Sequence, residues 1–333
     1  MAGIKVLRRL QGAREATSGT AVNTATFIWR GTGMGKDERI VTFTPEDVGY
    51  IMKPDRTYIA KLGASVALDP TPATYQQLPY VLEAGVKAIN TGAADGSGSD
   101  KIYSYTFPTT SKNTINTYTL QFGDDQQAEV MEYSFVKSFK LDGKAGEALM
   151  VDAAWTGRQA QTTTFTSVTL PTVEEILFSK VKLYIDAVSS TYGTTQKTST
   201  LLAATLNVTT GWIEVYTGDG NTYFTFAKIT EPDITLDLTM EHDANVVTEK
   251  SNWRNQTARL VRLSFTGNAV QTAGTSYSTT TCNIDVAGKW ETWDAISEQN
   301  GNDIVVGKLR ARYDGTAADA GKIVVVNELA ALT

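Results

Sequence analysis

One cysteine, Cys282, and one histidine, His242, are all that 333 residues hold of two side chains central to metal sites. An intrachain disulfide is excluded, and thiolate or imidazole metal centres nearly so. Basic residues are too few to outnumber acids, and the net charge is -6. That argues against a protein that grips nucleic acid by its phosphates, though not against one that lets it pass. Long apolar runs are missing, so no window approaches a membrane span. The opening MAGIKVLRRLQGAREATSGTAV lacks the apolar stretch of a signal peptide. The expectation is a chain made and folded in a cytoplasm, without a membrane anchor. Helical periodicity is scarce as well, while threonine is abundant, which points to a β-rich fold. With 41% hydrophobic and 20% charged residues the chain can build a core.

The stretch from Arg56 to Val86 organises the rest. Tyr58, Ala60, Leu62, Ala64, Val66 and Leu68 alternate with Thr57, Lys61, Ser65 and Asp69, which predicts one long strand with a dry and a wet face. Asp69-Pro70-Thr71-Pro72 is expected to end it. A short helix is predicted around Pro79 to Ala84, with proline in the first turn and Gly85 as the stop. Before this element, residues 1–24 read as an N-terminal arm without clear period. The stretch from 36 to 55 reads as a long, mostly irregular excursion, of the kind that carries interactions. After it come a flexible polar loop at Asn90–Asp100 and strands at Lys101–Phe107, Thr117–Phe122, Met131–Leu141 and Ala148–Trp155.

The second half repeats this order in pattern. Ile176–Val188 is predicted as a strand with Lys180, Lys182 and Asp186 on its wet face. A hairpin turning at Gly218-Asp219-Gly220 follows. Ile234, Leu236, Leu238 and Met240 alternate with Thr235, Asp237, Thr239 and Glu241, matching the Tyr58–Leu68 strand, and a polar helix at Asn245–Asn255 matches the first helix. Arg259–Phe265 then corresponds to Lys101–Phe107, and Thr281–Val286 to Thr117–Phe122. KLRARYDG at Lys308–Gly315 corresponds to KSFKLDG at Lys137–Gly143, and Gly321–Leu329 to Ala148–Trp155. The expected division is 1–24, arm; 25–165, first β-fold; 166–333, second β-fold.

Chemical motifs are weak. Gly31-Thr-Gly33-Met-Gly35-Lys36 has neither phosphate-loop nor dinucleotide spacing and reads as a kinked strand end or bulge. His242 lacks a nucleophile and reads as a surface residue at a strand end. Cys282 lies in a predicted strand and reads as small and buried. Asp219-Gly220-Asn221 reads as a turn rather than a calcium loop. Glu174-Glu175 and Asp124-Asp125 read as solvated surface, and Trp290 and Trp293 as packing or subunit contact. Nothing joins a nucleophile, a base and an electrophile stabiliser, so no enzyme, catalytic residue, metal or cofactor is predicted.

TFIWRGTG near Phe27–Gly33, EDVGYI at Glu46–Ile51, DRTYIAKL at Asp55–Leu62 and TPATYQQLPYVLEAGVK at Thr71–Lys87 resemble the tail tube (major tail) proteins of long, non-contractile-tailed bacteriophages, the siphophage type. The resemblance is dense from about Gly12 to Lys87 and continues as pattern to Gly143. It implies a mainly β protein with two tandem tail-tube-type folds. Each would be a β-sandwich or partial barrel with a flanking short helix and long loops. It further implies a structural virion subunit, synthesised in the host cytoplasm, whose pseudo-hexameric trimeric rings stack into a tube. Partners implied are further copies of the chain, the tape-measure protein, the tail terminator and the distal tail proteins, with phage DNA passing through the lumen without specific binding. On this reading Asp237, Glu241, Ser65 and Asp69 face the lumen. Lys308, Arg310 and Arg312 face outward or meet acids of a neighbour. Arg39, Glu46, Asp47, Tyr50, Lys53 and Arg56 make contacts between rings. The alternative is a cell-surface or secreted β-sandwich adhesion module, which requires a signal sequence or anchor. A third class is a glycan lyase, which requires clustered acids, His or Arg on one face.

Overall fold

The computed structural model describes residues 3–332 and is mainly β, with large antiparallel sheets and two α-helices. The first half contributes β1 (Arg9–Arg14), β2 (Gly33–Asp37), β3 (Ala64–Pro72), β4 (Tyr118–Gly123), β5 (Ala128–Lys144) and β6 (Met150–Gly157). The second contributes β7 (Val181–Ala187), β8 (Leu201–Thr209), β9 (Asp233–Glu241), β10 (Arg259–Ala269), β11 (Thr279–Trp293) and β12 (Asn302–Ala311). In the first half the pairing runs β1-β4-β5-β6-β3-β2. In the second it runs β7-β10-β11-β12-β9-β8, the same order six strands later. Helix α1 (Leu78–Gly85) follows β3, and α2 (Ala244–Arg254) follows β9. A two-stranded hairpin leaves each half at the same point: Ile40–Phe43 with Thr57–Lys61 between β2 and β3, and Trp212–Val215 with Phe226–Ile229 between β8 and β9.

The repeat extends to a local irregularity. The β5–β6 register shifts between Val136 and Ser138, and the β11–β12 register shifts between Trp290 and Thr292. At both places the longer strand carries one extra residue against its partner, Lys137 on β5 and Glu291 on β11, as a bulge does. The inner faces meet in one core containing Val66, Trp155, Leu236, Leu309, apolar residues of α1 and Val246 of α2. Pro79 in the first turn of α1 forgoes an N–H that has no partner in any helix, and all eight residues of α1 are buried. Asp243 caps α2 by accepting the Val246 N–H at 2.9 Å.

The halves are not separate bodies. β8 pairs with β5 from Ser138↔Thr209 to Lys144↔Ala203, and Lys101–Thr106 pairs with Gly321–Asn327. These last two strands lie outside the repeated six. The correspondence expected from sequence pattern is therefore displaced by one strand after the helix: β10 answers β4, β11 answers β5 and β12 answers β6. Two strands absent from the repeat look like repeat members, because alternation reports burial and not pairing.

Other expectations are corrected. The long Tyr58–Leu68 strand is two strands. It breaks at Leu62, whose N–H turns to Thr222 O at 2.8 Å, and Tyr58 is exposed in the hairpin while Val66 and Leu68 are core. β3 runs on through Pro70 and Pro72, which the register shift opposite Val151 and Ala153 accommodates. Within the expected arm, β1 sits between β4 and Phe27–Ile28 with Leu10, Gln11 and Ala13 buried. Its pattern is masked because buried Gln11 is polar, donating to Gln121 Oε1 at 2.8 Å and Thr166 O at 3.0 Å. The Asn90–Asp100 loop is anchored by buried Asp95, which accepts the Ser276 and Tyr277 N–H groups at 2.7–2.9 Å. Asp186 is also buried, accepting from the backbone of Gly193, Thr194 and Thr195.

Candidate functional site

Strands β2-β3-β6-β5-β8-β9-β12-β11 form one continuous sheet, in which a four-strand unit occurs twice. Among the described residues no chain of these strand pairings returns to its start. The sheet ends at β2 on one side and, past Gly288 where β10 stops, at the outer edge of β11 on the other. Residues directly opposite in an antiparallel ladder project to the same face. Ala67, Ala154, Ser138, Thr209 and Asp233 therefore share a face, because each is the register partner of the next. Asp142, Thr205, Asp237, Lys308 and Thr292 make a parallel row on that face. The opposite face is the core.

All four residues expected to line a lumen lie on this outer face. Ser65 donates to Glu38 Oε1 at 2.9 Å, Asp69 is exposed, and Asp237 and Glu241 are half-buried. The structure also places Lys308 and Arg310 there, as register partners of Asp237 and Thr235, so these cations share a face with Asp237 and are not on a face apart from it as expected. Arg310 is paired within the chain, to Asp233 and to Glu291 at 2.8 Å. Arg312 lies just past the end of β12 and is exposed. Facing could not be read from Lys308 and Arg310 alone, because neighbouring strands set it.

The face carries both signs. Lys140 lies 3.9 Å from Asp142, Thr205 donates to Asp142 Oδ1 at 2.5 Å, and Asn207 donates to Asp237 Oδ2 at 3.4 Å. Burial pushes the Asp237 carboxyl above its usual range, against the pull of Lys308. Burial does the same to Asp152, with Lys140 opposing. Lys36 and Ser65, both bonded to Glu38, hold that carboxyl below its usual range.

The first hairpin is a second candidate surface. Phe43, Val48, Tyr50, Ile51 and Met52 are exposed, with Ile51 fully so. Exposed apolar residues grouped in one hairpin make it a candidate interaction surface. Of the residues expected to make ring-to-ring contacts, Arg56 pairs with Glu46 at 2.7 Å and Arg39 with Asp37 at 3.1 Å. Asp47, Tyr50 and Lys53 lie in the loop between the hairpin strands. Phe43, Ile51 and Met52 are exposed in the same segment, which the sequence does not announce because an apolar residue outside a periodic pattern gives no sign of its facing. The second hairpin differs: Trp212 and Phe224 pack with Phe135 of the first half, and Lys137 meets Glu214 at 3.1 Å.

The remaining motifs take structural places. Trp290 is buried and donates its indole N–H to Glu249 at 3.1 Å. Burial pushes the Cys282 thiol up to about 12. The Gly33–Gly35 stretch is an ordinary edge strand, where a Cβ at Gly35 would lie 2.0 Å from the Phe122 ring. Among the described residues no cluster of three His, Cys, Asp or Glu could hold a metal, and no helix is long and apolar enough to cross a membrane. No protein-family model and no curated protein matches the chain.

Proposed function

We propose that this chain is the structural subunit of a bacteriophage tail tube, polymerising into stacked rings whose channel passes DNA during infection. One observation carries the reading: a four-strand unit repeated head to tail in one sheet, polar on one face, with an open edge at each end. A subunit that already joins two units edge to edge can join further copies by the same kind of contact. Such heterologous contacts close into rings when the rotation allows. Three copies would supply six units. The outer face of the sheet would line the channel, and its alternating signs would offer DNA few uncompensated cations, so contacts stay weak. The exposed apolar hairpin would meet the next ring, and the tape-measure, terminator and distal tail proteins would meet the lumen and the tube ends.

Negative-stain microscopy and size-exclusion chromatography of the purified chain test this. Rings or tubes with a central channel are expected. A protein that stays monomeric at high concentration would overturn it.

A further inference from the structure

The two open edges are complementary, and the chain contains the template for how they meet. Inside the molecule β8 lies on the outer edge of β5 with Lys140↔Asn207, Leu141↔Leu206 and Asp142↔Thr205 in register. β2 is the first-half counterpart of β8: Gly35 opposes Val66 as Leu206 opposes Leu236. β11 is the counterpart of β5, aligned by the shared register shift, so Thr292 answers Ser138, Trp293 answers Phe139 and Asp294 answers Lys140. Yet β2 has only β3 beside it, and from Thr292 to Gln299 the outer edge of β11 and its continuation has no strand partner among the described residues. In that segment every residue except Trp293 is exposed. Long unpaired edges of this kind are normally covered or blocked.

We propose that β2 of one copy pairs antiparallel with the Thr292–Gln299 edge of a second copy, repeating the β8-on-β5 joint between chains. This rests on the tube-subunit reading and names its ring contact. Carrying over the internal register sets Lys36 opposite Asp294, opposite charges on the outer face. Past Asp294 the β11 side holds one extra residue, since Asp294 N–H bonds Val306 O while Ser297 pairs with Ile304. Met34 therefore meets the Ile296–Ser297 step, so two exposed apolar side chains, Met34 and Ile296, cover each other. The hairpins obey the same rule. The hairpin after β8 is seated on the first half, through Trp212 and Phe224 against Phe135. The hairpin after β2 meets its own chain at its base, where the Leu62 N–H bonds Thr222 O at 2.8 Å and Tyr216 donates to Leu62 O at 3.1 Å, yet it leaves Ile40 and Val41 exposed. Both unsatisfied features belong to one repeat, and both counterparts are satisfied by the neighbouring repeat. The exposed Ile40–Val41 side of the first hairpin accordingly seats on the second half of the adjoining copy.

Disulfide trapping tests the joint. Lys36 and Asp294 sit at opposite ends of the sheet with six strands between, so K36C and D294C in one chain cannot bridge within that chain. Cross-strand Cα separations of about 4.5–5.5 Å suit a disulfide, and native Cys282 is buried. Oxidised rings of the double variant are expected to run as a covalent trimer that reduction dissolves. Mixed single variants should stop at dimers, and each single alone should stay uncrosslinked. Hydrogen exchange of the Met34–Asp37 amides should slow by at least about tenfold on assembly. Rings that form without this crosslink and without that protection would overturn the joint and leave the tube reading standing. Failure of the unaltered chain to assemble would overturn both.

Discussion

Glu249 ties α2 to the sheet by a buried ion pair. Its carboxylate accepts from Arg259 Nη2 at 2.8 Å, Arg259 Nε at 3.1 Å and the Trp290 indole at 3.1 Å. The Glu249 side chain is 1% exposed and that of Arg259 is 12% exposed. Glu249→Ala leaves a buried guanidinium without its partner and an indole N–H without an acceptor. Breaking one side of such a pair costs about 3–5 kcal/mol. Glu249→Gln keeps an acceptor for one donor and should cost about 1–3 kcal/mol. Removing the charge with the partner, in Glu249→Leu with Arg259→Met, should cost less than Glu249→Ala alone, because no unpaired ion remains. The measurement is urea unfolding of the set as a double-mutant cycle, with hydrogen exchange of the α2 amides as a local readout. A coupling energy below about 0.5 kcal/mol, the level of independent sites, would refute the reasoning.

The outer face of the sheet gives a second expectation: assembled tubes carrying Asp237→Lys and Glu241→Lys should retard DNA ejection, more so at low salt where screening weakens. Unchanged ejection from well-formed tubes would count against that face lining the channel. At the hairpin, Phe43→Ser with Ile51→Ser and Met52→Ser should leave thermal stability nearly unchanged, since these side chains are exposed. The same variant should form rings that do not stack, and normal tubes in the electron microscope would sink the assignment. Among the described residues neither carboxyl oxygen of buried Asp100 meets a hydrogen-bond donor, and burial, together with the neighbouring Asp95 carboxylate, raises its proton affinity above that of the unfolded chain. The folded state then binds the extra proton, so Asp100 favours folding at acid pH and loses that contribution as pH rises through its folded value. Asp100→Asn should therefore stabilise the protein at pH 7 relative to pH 4, and equal effects at both values in denaturant titrations would contradict this.

Particular residues mark the line between what was legible in the sequence and what was not. Val66, Leu68, Leu236, Leu238 and Met240 announced their buried face by period two alone, and Pro79 and Gly85 bracketed α1 to within a residue. The buried Trp290 and Cys282 and the turn around Asp219 also followed from local chemistry. The first strand of the arm stayed hidden because buried Gln11 breaks the apolar pattern and is paid for by bonds to residues far along the chain. The break at Leu62 was invisible because alternation continues while the strand changes sheets.

By itself, then, the sequence determined the β class, the dry faces, the two helices and the tandem order of the halves, since these rest on interactions with near neighbours or on simple partition from water. Only the tertiary structure decided which strands correspond, that Lys308 and Arg310 share a face with Asp237, and that β8 is paired while β2 is left open. Those are properties of register between segments distant along the chain. A strand's own residues specify which side is wet, but which strand lies beside it is set by the packing of the whole sheet.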